Sequence, residues 1–164
     1  MAKKSAGLLM YRRRTGSVEV FLIHPGGPFW VKKDVGAWAI PKGQYPPEEN
    51  PLAAARREFQ EETGFTAPLD GFHELTPIRQ GGGKQVRAWA FEGDADPAAV
   101  KSIHFEQEWP PGSGRMQSFP EVDRAAWFEL GEAKRVILPS QRGLLVELER
   151  LLSPTPDGAR RDAQ

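Results

Sequence analysis

GQYPPEENPLAAARREFQEETGF, residues 43–65, is the stretch of the sequence that decides the expected fold. Asn50 can cap a helix that carries Pro51 in its first turn and Gly64 just beyond its end. These signals predict a helix over residues 51–63. Apolar residues recur along it at spacings of three and four, which predicts a face that packs on a sheet. They are Leu52, Ala55 and Phe59.

The same helix carries an acidic side. Glu58, Glu61 and Glu62 stand at positions i, i+3 and i+4, so they project together. Their charges repel by roughly 0.2–0.5 kcal/mol a pair, and along the helix only Arg57 is placed to relieve them. A divalent cation would relieve them better, and oxygen ligands suit Mg²⁺ or Mn²⁺. The competing interpretation is a merely solvated acidic face.

The register of the whole stretch decides between these interpretations, because it resembles the Nudix box. All nine specified positions of that signature are filled, by Gly43, Glu49, Arg57, Glu58, Phe59, Glu61, Glu62, Gly64 and Phe65. The preceding residues 38–42 look like the strand that leads into such a box. A solvated face requires no such register, so we interpret the acids as a metal site.

The resemblance implies a role for each box residue. Glu58, Glu61 and Glu62 would ligate the metal, joined by the carbonyl of Gly43. Glu58 is also the first choice for activating water, although some family members use a Glu outside the box. Glu49 and Arg57 would form an ion pair that ties the loop to the helix, so that losing either misplaces ligands.

Residues outside the box leave alternatives open. Lys42 can reach a phosphate or stand in solvent. Glu106, Glu108 and Glu121 lie where relatives place an additional acid; position favours Glu108 and Glu121, and each alone could be a surface residue. Four aromatic residues could stack on a base or pack: Phe29, Trp30, Tyr45 and Trp109. Four basic residues could face phosphate or solvent: Arg79, Lys84, Arg87 and Arg115.

The remaining pattern predicts one domain. Strands are expected over 7–11 and 18–23, which form a hairpin, and over 38–40, 73–78, 86–92, 102–109 and 125–130. Residues 81–83 read as a turn, and a second amphipathic helix is expected over 140–152. The resemblance implies an α/β class, the Nudix fold: an α/β/α sandwich with a central mixed β-sheet over residues 1–152. Residues 153–164 read as a disordered tail.

Composition excludes several function classes. The 164 residues carry 22 basic and 22 acidic side chains, so no footprint for broad nucleic-acid or anionic-membrane binding is expected. The absence of cysteine excludes disulfides, thiolate metal sites and a cysteine nucleophile. No stretch approaches the roughly 20 apolar residues that cross a bilayer. We therefore expect a soluble, cytoplasmic protein, with its oligomeric state left open.

The expected activity is Mg²⁺-dependent hydrolysis of a phosphoanhydride in a nucleoside diphosphate linked to another group. Within the family, the sequence Pro41-Lys42-Gly43 is similar to the dinucleoside polyphosphate and diphosphoinositol branches. Glu48 stands where many relatives carry Gly, and Gln44 stands where some triphosphate-cleaving members carry Lys. The alternatives are a nucleotide-binding or regulatory module without turnover, which typically loses box acids, and a domain in which the acids bind a structural ion.

Overall fold

A long antiparallel hairpin is the centre of the computed structural model, which describes residues 3–153. The strands are β1 Lys4–Arg14, β2 Ser17–Pro25, β3 Lys42–Gln44, β4 His73–Glu74, β5 Ile78–Gln80, β6 Lys84–Glu92, β7 His104–Glu108, β8 Met116–Pro120 and β9 Val122–Glu129. The helices are α1 Pro51–Thr63, α2 Leu130–Val136 and α3 Arg142–Leu152.

The main sheet is mixed, as expected. Its order is β4-β6-β1-β2-β9, with β3 paired to β1 and β5 paired to β6. The β1–β6 pair is parallel and the other pairs are antiparallel. One edge of β1 pairs with β2 at residues 11–14 and with β3 at residues 5–7. The hairpin therefore splays open, and β3 enters the gap.

Side-chain alternation along the hairpin builds two apolar layers. Leu8 and Phe21 belong to the cluster that includes α1, whereas Leu9 and Leu22 belong to the cluster that includes α2 and α3. All four side chains are fully buried. The sheet is thus covered on both faces, which confirms the predicted α/β/α sandwich.

The first helix begins and ends where its caps predict. The side chain of Asn50 accepts a hydrogen bond from the Ala53 amide at 3.0 Å, and Pro51 fills the first turn. Gly64 ends the helix with a φ of 82°, a left-handed conformation that glycine adopts without strain. Phe59 is 1% exposed and packs edge-on against Phe91. These contacts fix the rotation of the acidic side.

Some predicted elements differ from the structure. Residues 38–40 make only isolated bridges, to Ile23 and Ile137, and the paired strand follows at β3. The 102–109 strand is shorter and pairs with β8 in a separate two-stranded sheet. Sequence reasoning missed β8, which is largely exposed and so has no apolar alternation. It also missed α2, a helix of only 7 residues that follows directly after β9.

The last helix begins at Arg142, after a short turn, close to its predicted start. Of the predicted tail, residues 154–164 lie outside the described residues. No helix within residues 3–153 is both long enough and apolar enough to cross a membrane.

Phe59→Ala removes the largest buried side chain of α1, and it should lower the free energy of unfolding by about 3–5 kcal/mol. Denaturant unfolding measures this loss. Leu151→Ala, at a position 53% exposed, is the control and should change stability by less than about 0.5 kcal/mol. Equal losses in both variants would contradict the placement of Phe59 in the core.

Candidate active site

An open pocket of about 450 Å³ lies where β3 meets the acidic side of α1. Four carboxylates and two ammonium groups line it: Glu58, Glu61, Glu62, Glu121, Lys42 and Lys84. The structure thus brings together every predicted metal ligand and the predicted phosphate-binding lysine. It adds one acid from outside the box and one lysine from β6.

Arg57 organises the helical side of this pocket. Its guanidinium donates two hydrogen bonds of 3.0 Å to the Glu49 carboxylate, so the predicted ion pair is present. It also donates to Glu58 at 2.7 Å and to Glu61 at 2.9 Å. Hydrogen bonding to Arg57 lowers the pKa of Glu49, and hydrogen bonding to Glu49 raises the pKa of Arg57. The arginine therefore ties the loop before α1 to two of the three helix acids.

Gly43 and Glu58 are so close that a Cβ on residue 43 would require the Glu58 carboxylate to move. A Cβ built on Gly43 would lie 1.9 Å from Oε1 of Glu58. The neighbouring amide of Lys42 donates to Oε1 of Glu62 at 3.2 Å. Strand β3 is therefore placed with its backbone directly against two of the acids.

Three carboxyl groups of the pocket have raised pKa values, because neighbouring groups do not fully offset the effect of burial. Burial raises the pKa of Glu62 to about 8 and also raises the pKa of Glu58 and of Glu121. Burial lowers the pKa of Lys42, and the nearby Lys84 lowers it further. Desolvation is the first cause for each of the four, so the pocket disfavours the charged form of these groups as long as no cation is bound.

The chemistry of the donors fits a hard divalent cation. Within residues 3–153, no three acidic or histidine side chains already stand in an arrangement that would hold an ion. Arg57 accounts for this in part, because it binds one oxygen each of Glu58 and Glu61. An all-oxygen set with unmet demand for positive charge suits Mg²⁺ or Mn²⁺. Gly43, Glu58, Glu61 and Glu62, which all line the pocket, are the residues that would hold such a cation.

Glu121 is the acid outside the box that reaches the pocket. Its amide donates to the carbonyl of Ile103 at 2.8 Å, and the Ile103 amide donates to the carbonyl of Glu61 at 2.9 Å. On the other side, the Gly26 amide donates to the Glu121 carbonyl at 2.9 Å. The residue is thus connected to α1 through the backbone alone, which no local sequence pattern reveals.

The other two acids considered outside the box lie elsewhere. Glu108 accepts hydrogen bonds from the amides of Gly112 and Gly114, at 3.1 and 2.9 Å, so it stabilises the turn between β7 and β8. Glu106 is exposed on β7 and does not line the pocket. The position of Glu108 in the sequence therefore did not predict its role, because β7 pairs with β8 in a separate sheet and carries Glu108 away from the pocket.

The aromatic and basic candidates mostly pack or pair. The ring centroids of Phe29 and Trp109 lie 5.5 Å apart, and neither residue lines the pocket. Arg87 forms an ion pair with Glu74 at 2.6 Å. Lys84 differs from the other three basic candidates because it lines the pocket, close enough to Lys42 to lower the pKa of that lysine.

Comparisons with known proteins agree with this geometry. The NUDIX domain family profile matches residues 1–148. The asymmetrical bis(5'-nucleosyl)-tetraphosphatase of Caenorhabditis elegans is 32% identical over 114 residues, which span 66% of this chain and 78% of that protein. The Rattus norvegicus protein of the same name is 33% identical over 103 residues, or 56% of this chain and 66% of that protein.

Solved structures share the fold. The C. elegans Ap4A hydrolase in a binary complex superimposes with a TM-score of 0.62 at 22% identity, covering 90% of this chain and 97% of that one. The NUDIX domain of Shewanella oneidensis NrtR, complexed with ADP ribose, gives 0.61 at 16% identity, covering 92% and 87%.

Gly43→Ala tests the contact between β3 and Glu58. The new methyl group must displace the carboxylate, so the rise in melting temperature caused by Mg²⁺ should shrink, with an affinity loss of about 10- to 100-fold. Differential scanning fluorimetry across a Mg²⁺ titration measures it. Gly131→Ala, where a Cβ meets nothing within 4 Å, should leave the Mg²⁺ response unchanged.

The raised pKa of Glu62 predicts a pH effect on the metal-free protein. The folded state keeps a proton up to about pH 8, whereas the unfolded carboxyl loses it near its ordinary value of 4.5. Stability is therefore complete below the lower value and is lost as pH rises through the higher one. The melting temperature of wild type minus that of Glu62→Gln should fall over this window. Saturating Mg²⁺ should flatten the fall, and parallel profiles without metal would contradict the assignment.

Proposed function

We propose that this chain hydrolyses dinucleoside tetraphosphates asymmetrically. The chain belongs to the Nudix family and is a nucleotide pyrophosphohydrolase, and the proposal concerns its substrate. The observation that supports this choice is the shared pocket of four carboxylates and two lysines in a chain 32% identical to a tetraphosphatase of that specificity. Carboxylates suit a cation and its activated water, while paired lysines suit a phosphate chain longer than the scissile bond requires.

The proposed reaction breaks the anhydride between the first and second phosphorus atoms of the chain. Water adds one oxygen to one of these phosphorus atoms, and the bridging oxygen leaves with the other. The products are a nucleoside monophosphate and a nucleoside triphosphate, and the protons of the water are released. Because no carbon bond changes, catalysis needs only positioning, charge neutralisation and a proton acceptor.

The residues of the chain divide this work. Lys42 and Lys84, which line the pocket together with the helix acids, bind the phosphate chain. Glu58 is the proposed proton acceptor, and Glu121, which shares the pocket, is the alternative to be tested against it. Arg57 and Glu49 hold the loop and helix in register. A bound Mg²⁺ would neutralise phosphate charge and lower the pKa of the attacking water.

The alternative of a binding module without turnover has less support. Such modules typically lack some box acids, whereas all of them are present here, and Glu58, Glu61 and Glu62 line the pocket. A purely structural ion would not need the two lysines that line the same pocket. Both alternatives predict Mg²⁺ stabilisation without product formation, so the experiment below separates them.

With Mg²⁺ and diadenosine tetraphosphate, the protein should form AMP and ATP in equal amounts. Glu58→Gln should reduce turnover by about 10²- to 10⁴-fold if this residue accepts the proton. Chromatography of a time course measures both products, and H₂¹⁸O identifies the phosphorus that is attacked. Glu106→Gln, which alters an exposed acid away from the pocket, is the matched control and should be as active as wild type.

Two results would overturn the proposal. Formation of two ADP molecules would exclude the asymmetrical reaction, and full activity of both Glu58→Gln and Glu61→Gln would exclude the site. A Glu121→Gln variant distinguishes the two candidate bases, because loss of the base removes the acidic limb of the pH profile of kcat. If only Glu121→Gln lacks that limb, the proton acceptor is Glu121.

A further inference from the structure

His24 is a fully buried polar residue to which the sequence assigned no chemistry. It lies near the end of β2, and its Nδ1 stands 2.9 Å from a carboxylate oxygen of Asp123. Its Nε2 stands 2.6 Å from the carbonyl oxygen of Lys33. The carbonyl oxygen of Lys33 only accepts hydrogen bonds, so Nε2 donates to it, and Nδ1 makes the contact with the Asp123 carboxyl group. The ring therefore joins two separate segments.

Asp123 reaches His24 because the pairing of β2 with β9 is irregular there. His24 is opposite Arg124, but the next residue, Pro25, is opposite Val122. Asp123 is left without a partner and forms a β-bulge, and its side chain turns to the histidine. Bulges bend a strand and redirect neighbouring side chains, and they are common beside active sites.

Glu121, which lines the pocket, lies two residues before Asp123. The amide of Gly26, two residues after His24, donates to the Glu121 carbonyl at 2.9 Å. A Cβ on Gly26 would lie 1.8 Å from the carbonyl oxygen of Pro120, so the two backbones are in direct contact. The bulge and this contact both lie between His24 and the acid that lines the pocket.

We propose that His24 is a positioning residue: by binding Asp123 it holds the β-bulge that aims Glu121 into the active-site pocket. This proposal rests on the proposed function, because Glu121 can affect turnover only if the pocket is the site of hydrolysis. The bond to Lys33 serves a different purpose, because it ties down the loop that follows β2. The two ring nitrogens therefore have separable roles.

Two conservative variants separate them. In His24→Asn the amide nitrogen stands where Nδ1 stands and can still donate to Asp123, whereas in His24→Gln it stands where Nε2 stands and serves only Lys33. Both variants replace the imidazole and lose its packing against Trp38, so a purely structural role of His24 predicts a similar loss of kcat in the two. The positioning role instead predicts kcat near wild type for His24→Asn and a loss of about 10- to 100-fold for His24→Gln.

A second measurement does not depend on turnover. The amide of Gly26 should exchange with solvent faster in His24→Gln than in wild type or His24→Asn, because its bond to Glu121 loosens when the bulge is released. Hydrogen exchange followed by NMR reports this. If no dinucleoside polyphosphate is hydrolysed but this pattern is seen, the proposed function fails while the positioning of Glu121 stands.

The Glu121→Gln background completes the test. If His24 acts through Glu121, adding His24→Gln to Glu121→Gln should cost less than about twofold in kcat, since coupled residues are not additive. Full additivity, equal losses in the two His24 variants, or unchanged Gly26 exchange would each overturn the inference. Wild-type kcat in Glu121→Gln would overturn it as well, while leaving the hydrolysis itself in place.

Discussion

The guanidinium of Arg57 is the interaction on which the site depends. One planar group with five donors binds Glu49 on the preceding loop and Glu58 and Glu61 on its own helix. A lysine has no such fork and could not hold three carboxylates in fixed directions. The arginine offsets repulsion among the acids without filling the pocket, so two of them keep an oxygen for another partner.

The sheet supplies the second half of the site through its splayed hairpin. Because β1 pairs with β2 only at residues 11–14, the short β3 can pair with residues 5–7 of β1 and lie against the acids of α1. Gly7 permits this, since a Cβ there would lie 2.5 Å from the carbonyl of Pro41. Two glycines, Gly7 and Gly43, thus bring three segments within contact distance.

How far the sequence predicted this site depended on how local each feature was. Each cap of α1, its acidic side and the Glu49–Arg57 pair joins residues no more than eight positions apart, and the local sequence predicted each of them. Glu121 and Lys84 reach the pocket through strand pairings that no local spacing encodes. Strand β8 and helix α2 were missed because one is exposed and the other is short.

The parallel pairing of β1 with β6 has a consequence for synthesis on the ribosome. The innermost strand emerges about eighty residues before its neighbour β6, and contacts so distant in sequence form slowly. Until then, the edge of a strand whose Leu8 and Leu9 are fully buried in the finished protein has no partner. Until β6 has emerged, the growing chain therefore presents an apolar strand edge, which is a template for mispairing.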